Sequence, residues 1–181
     1  MKATCPCACQ DALFKNLAKF YDTEIEVKVD TEACCTSLAN GKTLVFNVPA
    51  ILAYLNRYFK GEVNTDLDVA FQLAQRFFDK FSQLMTIVEN PKDCQPNLFK
   101  GALEYVMNFL TCLNDTILVE KTYIAGERKS CADIYLGFLL KNCYKHCITA
   151  EHAKKFNNVT RYLHTVESEI VLAAGELKLK K

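Results

Sequence analysis

The sequence of 181 residues lacks the features that mark several functional classes of protein. No apolar run approaches the ~18 residues of a membrane span, and no apolar segment follows the first lysine, so neither a membrane helix nor a signal peptide is predicted. The chain also lacks an excess of charge of either sign, because it has 22 basic residues and 21 acidic ones. This balance argues against the strongly basic body of a nucleic-acid-binding domain. We therefore expect a cytoplasmic protein without membrane contact.

Cysteine, in contrast, is abundant, with ten residues. Without a signal peptide these predict free thiols rather than a disulfide framework, most of them acting as small buried apolar side chains. The segment Cys5-Pro6-Cys7-Ala8-Cys9 differs from the C-P-x-C pattern of redox motifs, because no two of its cysteines are three positions apart. Apart from Cys5 with Cys9, its spacing does not match the usual zinc ligands either.

Two sets of side chains have a partial zinc-ligand character. They are the N-terminal cysteines with Cys34 and Cys35, and a C-terminal set of Cys143, His146, Cys147 and His152. In the second set, Cys143 follows Leu139 and Leu140 by one helical turn and is expected to face the core. We predict no metal site and no cofactor.

The first 60 residues carry the pattern of a small sheet unit. After an initial strand, apolar periodicity predicts a helix over 11–21, a strand over 24–30 and a hairpin over 34–46. Asn40-Gly41 is typical of a type I′ turn, which needs a positive φ at both central residues. A second helix follows, with Asn47 as candidate N-cap and Pro49 in the first turn.

The rest of the chain has helical periodicity. Predicted helices cover 65–89, 97–118, 130–145 and 150–170. Ser130 and Asp133 stand at N-cap and N3 of the third, a capping box with Asp in place of Glu or Gln. The sequence thus predicts an α+β fold, with a sheet domain over 1–61, a helical domain over 65–175 and a basic tail or linker over 176–181.

The helix predicted over 65–89 is apolar on two faces. Beside its main stripe, Leu73, Phe77 and Leu84 form a second one. A helix with two apolar faces is buried on both, either by its own core or by a partner protein. Both alternatives stay open at this point.

Three segments resemble the glutathione transferase family. TLVFNVPAILAYL at 43–55 is similar to the family's fourth strand and third helix, YIAGERKSCADIYLGFLL at 123–140 to the start of its sixth helix, and FNNVTRYLHTVES at 156–168 to its seventh. The resemblance covers nearly the whole chain. It implies a thioredoxin-like N-terminal domain followed by an all-helical C-terminal domain.

The departures from the family pattern concern its glutathione site. The family's Glu or Gln and the following Ser, which binds the γ-glutamyl carboxylate, are matched by Asn47 and Val48, and valine offers no hydroxyl. The family's cis-proline is matched by Thr36, where a cis bond would cost ~3 kcal/mol. Between a strand ending at Asp30 and one starting at Cys34 the family's second helix has no room. The resemblance therefore implies a shortened, non-catalytic relative.

Relatives of that kind belong to the translation machinery. The resemblance implies docking onto glutathione-transferase-like domains of aminoacyl-tRNA synthetases, synthetase-complex cofactors or elongation factor 1 subunits, or onto a second copy as a homodimer, with tRNA engaged indirectly or through an attached domain. Two interfaces are implied, one with Leu73, Phe77 and Leu84, and one with Arg161, Tyr162 and Asn157. In the second, Arg161 would pair with the partner. A plain surface role, with a salt bridge to Glu167 or Glu169, is the alternative.

Two other functions stay open. Cys5 or Cys7 would serve a thiol-dependent glutathione transferase or thiol reductase, because the start of the first helix in a thioredoxin-like fold lowers the pKa of a thiol placed there. Lys178, Lys180 and Lys181 would support direct and salt-sensitive tRNA binding.

Overall fold

A four-stranded sheet begins the chain in the computed structural model, which describes residues 1–6, 9–61, 65–89 and 96–169. The strands are β1 (Lys2–Cys5), β2 (Glu26–Val29), β3 (Ser37–Asn40) and β4 (Thr43–Phe46), in the spatial order β2-β1-β3-β4. β1 runs parallel to β2 and antiparallel to β3, and β3 pairs antiparallel with β4. The three predicted strand segments and the initial strand are thereby confirmed.

Two helices cover one face of this sheet, α1 (Cys9–Phe20) and α2 (Val48–Lys60). Buried side chains from both helices meet the buried face of the sheet: Ala3, Cys5, Leu13, Phe14, Leu17, Leu38, Ile51, Leu52 and Leu55. The opposite face is open, and Leu44 and Phe46 of the edge strand are about half exposed on it. α2 ends at Gly61, whose positive φ is the usual left-handed helix terminus.

The hairpin between β3 and β4 is confirmed, but its turn lies one residue later than predicted. Asn40 pairs with Thr43, so the loop residues are Gly41 and Lys42. Only Gly41 has a positive φ, which is the feature of a type II′ turn. The register of the sheet makes Asn40 a strand residue, and its side-chain amide donates to the Tyr54 hydroxyl instead of serving the turn.

The segment from β2 to β3 contains no helix, as the sequence predicts. Residues 30–36 form turns and bends, and all of them are described. Asp30 organises the start of the segment, because its carboxylate accepts the Glu32 N–H and its carbonyl accepts the Ala33 N–H. The link is seven residues long rather than the predicted three.

The remaining helices form the larger unit. They are α3 (Thr65–Glu89), α4 (Pro96–Cys112), α5 (Cys131–His146), α6 (Ala150–Lys155) and α7 (Asn157–Glu169), and a π-helical turn, Leu113–Ile117, extends α4. α5 is buried along most of its length and contacts α1, α2, α3 and α7. Gly137 permits the approach of α7, because a Cβ there would lie 2.6 Å from Val166 Cγ1. No described helix is both long enough and apolar enough to cross a membrane.

The single helix predicted over 150–170 is wrong, because the structure has two helices separated by Phe156. Phe156 leaves the helical conformation (φ −101°, ψ 58°) and buries its side chain. The new helix α7 is capped from a distance, since Asn114 Oδ1 accepts the backbone N–H groups of Asn158 and Val159 at 2.9 and 3.3 Å. A cap from 44 residues earlier leaves no local signal in the sequence.

Candidate functional site

The β4–α2 corner, formed by Thr36, Asn47 and Val48, occupies the position that the sequence matches to a glutathione site. Asn47 has φ 68° and ψ 140°, a backbone conformation that residues other than glycine rarely adopt. Its N–H donates to the Thr36 carbonyl at 2.9 Å, and this bond fixes the start of α2. Pro49 lies in the first turn of α2, as predicted.

The predicted cap at Asn47 is only partly correct. The residue stands at the N-cap position, but its exposed side chain makes no capping hydrogen bond. Val48, which follows, is buried and presents only an apolar side chain. The start of α2 therefore offers no hydroxyl to the carboxylate of a ligand.

Thr36 satisfies its polar groups within the protein. Its hydroxyl donates to Gln10 Oε1 in a buried contact, and its carbonyl accepts the Asn47 N–H. All peptide bonds of the described residues are trans, including the one that precedes Thr36. These bonds tie α1, β3 and α2 together, and a ligand would have to break them to use the same groups.

A cleft of about 610 Å³ opens beside the corner, between α2 and α3. It is lined by Asn47, Pro49, Ala50, Ala53, Asp68, Phe71, Gln72 and Gln75. The only charged group in this lining is the carboxylate of Asp68. Among the described residues of this lining no cation is present to hold an anionic ligand, and the Asp68 carboxylate disfavours one.

Cys5 does not have the properties of a reactive thiol. It is fully buried at the end of β1, and burial together with the Asp11 carboxylate raises its pKa to about 11. The thiol is therefore protonated at neutral pH and closed to solvent, which corrects the prediction of Cys5 as a candidate nucleophile. Cys7 lies outside the described residues. Cys9 begins α1, but its side chain is likewise not described.

The zinc candidates do not form a cluster in the described structure. Within the described ranges no group of three or more His, Cys, Asp or Glu side chains is arranged to hold a metal ion. Cys143 faces the core, as predicted, and its hydrogen bond with the neighbouring Cys147, together with burial, raises its pKa. Cys34 and Cys35 lie at the surface of the loop before β3, with their sulfur atoms 3.9 Å apart.

The second apolar stripe of α3 belongs largely to the core. Phe77 and Leu84 are fully buried, and the Phe77 ring stacks against Phe81 and Phe109 at 5.6 and 4.7 Å. The prediction that both residues bind a partner is therefore wrong, because α4 already covers this face. Leu73 is only partly buried and stays a candidate interface residue.

The predicted interface residues of α7 divide in the same way. Arg161 is exposed, and one of its guanidinium nitrogens donates to the carbonyl oxygens of Leu118 and Lys121 at 2.6 and 3.4 Å. The alternative of a salt bridge to Glu167 is not seen, because Glu167 pairs with Lys141 at 2.9 Å, and the side chain of Glu169 lies outside the described part of the chain.

Tyr162 is fully buried, which corrects its prediction as an interface residue, whereas Asn157 is exposed at the start of α7. The Tyr162 hydroxyl donates to Asp133 Oδ1 at 2.9 Å. Burial and this carboxylate raise the pKa of Tyr162 well above its ordinary value. Sequence reasoning missed this role, since helical spacing does not show which buried tyrosine reaches another helix.

Ile124, Ser130, Asp133 and Tyr162 form the Asp133 cluster at the start of α5. The predicted capping box between Ser130 and Asp133 is confirmed. The fully buried carboxylate accepts four hydrogen bonds, from Ser130 N and Oγ, Ile124 N and the Tyr162 hydroxyl, at 2.7 to 2.9 Å. The cluster joins the loop before α5, α5 itself and α7. Each oxygen of the Asp133 carboxylate accepts two hydrogen bonds, so the role of the cluster is structural.

Comparisons with known proteins agree with this architecture. Residues 68–169 match the family model for the glutathione S-transferase C-terminal domain. Over 67 residues the chain is 38% identical to a probable elongation factor 1-gamma of Caenorhabditis elegans, and the match covers 36% of this chain and 17% of that protein. The chain thus spans only a small part of this relative.

Solved structures show the same fold at low identity. The glutathione transferase URE2P6 of Phanerochaete chrysosporium has a TM-score of 0.79 at 10% identity, covering 92% of this chain and 90% of its own. The theta class glutathione S-transferase of Xanthomonas axonopodis pv. citri has a TM-score of 0.71 at 13% identity, covering 98% of both. The predicted fold, a small sheet domain followed by a helical domain, is confirmed, and the chain belongs to the glutathione S-transferase C-terminal domain family.

Proposed function

We propose that this protein is a non-catalytic assembly domain of the translation machinery, which docks onto other glutathione-transferase-like domains in a synthetase or elongation factor complex. The observation that carries the proposal is the β4–α2 corner, where Val48 offers no donor and Thr36 is bound to Gln10. The partial likeness to an elongation factor 1-gamma supports the assignment to translation.

The chemistry of the corner favours a role in protein binding over glutathione-dependent catalysis. Glutathione carries two carboxylates, whereas the described residues that line the cleft beside the corner include Asp68 and no cation. The buried Cys5 thiol is protonated at neutral pH, so it cannot act as a nucleophile there. Each of these features weakens a different part of a glutathione transferase site.

The exposed end of α7 is the surface that suits a partner. Arg161 has its guanidinium fixed by two backbone carbonyls, so little side-chain entropy is lost when a partner binds it. Both bonds use one nitrogen, so the N–H groups of the other guanidinium nitrogens are available to a carboxylate of a partner. Asn157 is exposed on the same helix, four residues earlier.

The variant Arg161→Ala tests this surface through its binding to partner proteins and to itself. We expect weaker binding of partner proteins in affinity purification from the source cell, and weaker self-association in sedimentation if the chain forms a dimer. Loss of the two carbonyl contacts should lower the free energy of unfolding by only about 1 kcal/mol. Partners should include synthetases or elongation factor subunits.

Two variants control this experiment. Arg57→Ala removes an exposed arginine from the last turn of α2 and should leave association unchanged. Asn114→Ala removes the distant cap of α7, so it loosens the same junction without removing the charge. Equal loss of binding in Asn114→Ala and Arg161→Ala would assign the effect to the fold of the junction and contradict a contact by Arg161.

Glutathione binding tests the non-catalytic part of the proposal. Titration calorimetry with reduced glutathione should give no saturable heat, and a thiol-transferase assay should give no rate above the buffer. Saturable binding, or a rate that disappears in Cys7→Ser, would instead support a thiol-dependent enzyme.

A further inference from the structure

The loop between β2 and β3 carries two adjacent thiols, Cys34 and Cys35, which the proposed function does not use. Their sulfur atoms lie 3.9 Å apart, close to van der Waals contact. Cys34 is exposed and Cys35 is partly exposed, and both are free thiols. The two side chains therefore project to the same side of the loop, where solvent reaches them.

The loop is held at both ends, so this pairing is a property of the backbone. Asp30 fixes the beginning through its bonds to Glu32 and Ala33, and the Asp30 N–H itself donates to the Cys5 carbonyl of β1. Thr36 fixes the end through Gln10 and Asn47. Only a short segment containing the two cysteines remains between these anchors.

A disulfide between the two thiols is unfavourable. In proteins generally, adjacent Cα atoms are about 3.8 Å apart across a trans peptide bond, whereas disulfides usually join residues whose Cα atoms are about 4.4–6.8 Å apart. The oxidised pair would be strained and easily reduced, so the dithiol is the favoured form. A zinc ion is also a poor occupant, because it needs four ligands and the described residues supply no third one.

We propose that Cys34 and Cys35 form a bidentate site for trivalent arsenicals, in which one arsenic atom bridges both sulfur atoms. Soft thiolate ligands suit such a thiophilic centre. With phenylarsine oxide, two arsenic–sulfur bonds form, both thiols lose a proton, and the oxide oxygen leaves as one water molecule. No oxidation or reduction takes place, and no other reactant is needed.

The thiolate fraction of the two cysteines sets the pH dependence of the rate of capture. Partial desolvation and the adjacent Cys34 thiol raise the pKa of Cys35. No cationic side chain belongs to the loop itself, and its Asp30 and Glu32 also disfavour a second negative charge. Because the thiolate is the attacking form of a cysteine, the rate of capture should rise between pH 6 and 9, although both thiol protons end in the water molecule and none is released overall.

Intact mass spectrometry with phenylarsine oxide tests the site. In the wild-type chain one equivalent of phenylarsine oxide should remain bound in excess 2-mercaptoethanol. When a monothiol breaks one arsenic–sulfur bond, the other bond still holds the arsenic, and the freed thiol of the protein binds it again. The dithiol 2,3-dimercaptopropanol should remove the arsenic. Cys34→Ser, Cys35→Ser and the double variant should each lose this monothiol-resistant equivalent. These substitutions are at the surface, and an unchanged thermal midpoint verifies the fold.

The matched control is Cys112→Ser, which removes an exposed cysteine outside the loop and should retain the equivalent. The proposal is overturned if 2-mercaptoethanol strips the wild-type adduct. It is also overturned if the double variant keeps the same resistant equivalent, since another pair of thiols would then be responsible.

Discussion

Two helix N-termini of this protein illustrate opposite uses of the same backbone feature. α5 begins with the Asp133 cluster, in which a buried carboxylate meets four donors. α2 begins at the β4–α2 corner, in which Asn47 has a strained backbone and its side chain caps nothing. The first end is closed by the protein's own side chains, whereas at the second neither the Asn47 side chain nor the buried Val48 side chain binds the free N–H groups of the helix.

The two helix ends differ in how much they contribute to the stability of the fold. The cluster stabilises α5, the helix that contacts both the sheet unit and α7, so its loss would affect the whole fold. The corner contributes a backbone bond between Asn47 and Thr36 and a buried bond between Thr36 and Gln10. Changes at the two sites should therefore differ in size and also in sign.

Asp133→Ala should have the largest effect on this comparison. It leaves four donors without an acceptor in a fully buried place, and we expect a loss of about 3–4 kcal/mol in the free energy of unfolding. Urea denaturation followed by circular dichroism measures this loss. Asp68→Ala, at an exposed position in the first turn of α3, is the control and should cost no more than about 1 kcal/mol. Similar losses in both would contradict the structural importance of the cluster.

Tyr162→Phe should have the second largest effect, because it removes one of the four donors and keeps the ring. The loss should be about 1–2 kcal/mol, since the Asp133 carboxylate stays buried with three donors. Tyr58→Phe is the matched control at a residue that is 58% exposed, and it should change the stability by less than about 0.5 kcal/mol. If Tyr162→Phe weakens association without changing the urea midpoint, Tyr162 would be an interface residue after all.

Local patterns allowed most of the fold to be predicted. Alternation at 24–30 and spacing in 65–89 depend on neighbouring residues only, and the capping box at Ser130 and Asp133 lies within four residues. Those elements were found with errors of a few residues. The break at Phe156 was missed because the cap of α7 comes from Asn114 in another helix, and tertiary contacts of this kind leave no periodic signal.

At the candidate site, the sequence could predict only which features of the family pattern are replaced or missing. The replacement by Val48 and the short link before β3 are visible in the sequence, because each compares one position or one length with the family pattern. The burial of Phe77, Leu84 and Tyr162 depends on how α4, α5 and α7 pack, which an amphipathic pattern does not specify. An apolar stripe gives the same signal for a core and for an interface, and only the structure separates them.

Asn47→Gly should have the smallest effect, and it should stabilise the protein. Glycine adopts φ 68° and ψ 140° without strain, which relieves about 1–3 kcal/mol, while greater freedom of the unfolded chain offsets about 0.4–1 kcal/mol. A net gain of about 1 kcal/mol would raise the thermal midpoint by about 2–4 °C in a chain of this size.

Asp22→Gly is the control for this last variant, because its φ of 49° lies in the left-handed region that Asp tolerates. There the strain relief is small, so the midpoint should stay unchanged or fall slightly. A lower midpoint for Asn47→Gly would mean that the Asn47 side chain stabilises the corner in a way that its exposed position does not indicate. A higher midpoint with normal partner binding would show that neither the fold nor the proposed assembly depends on the strain at Asn47.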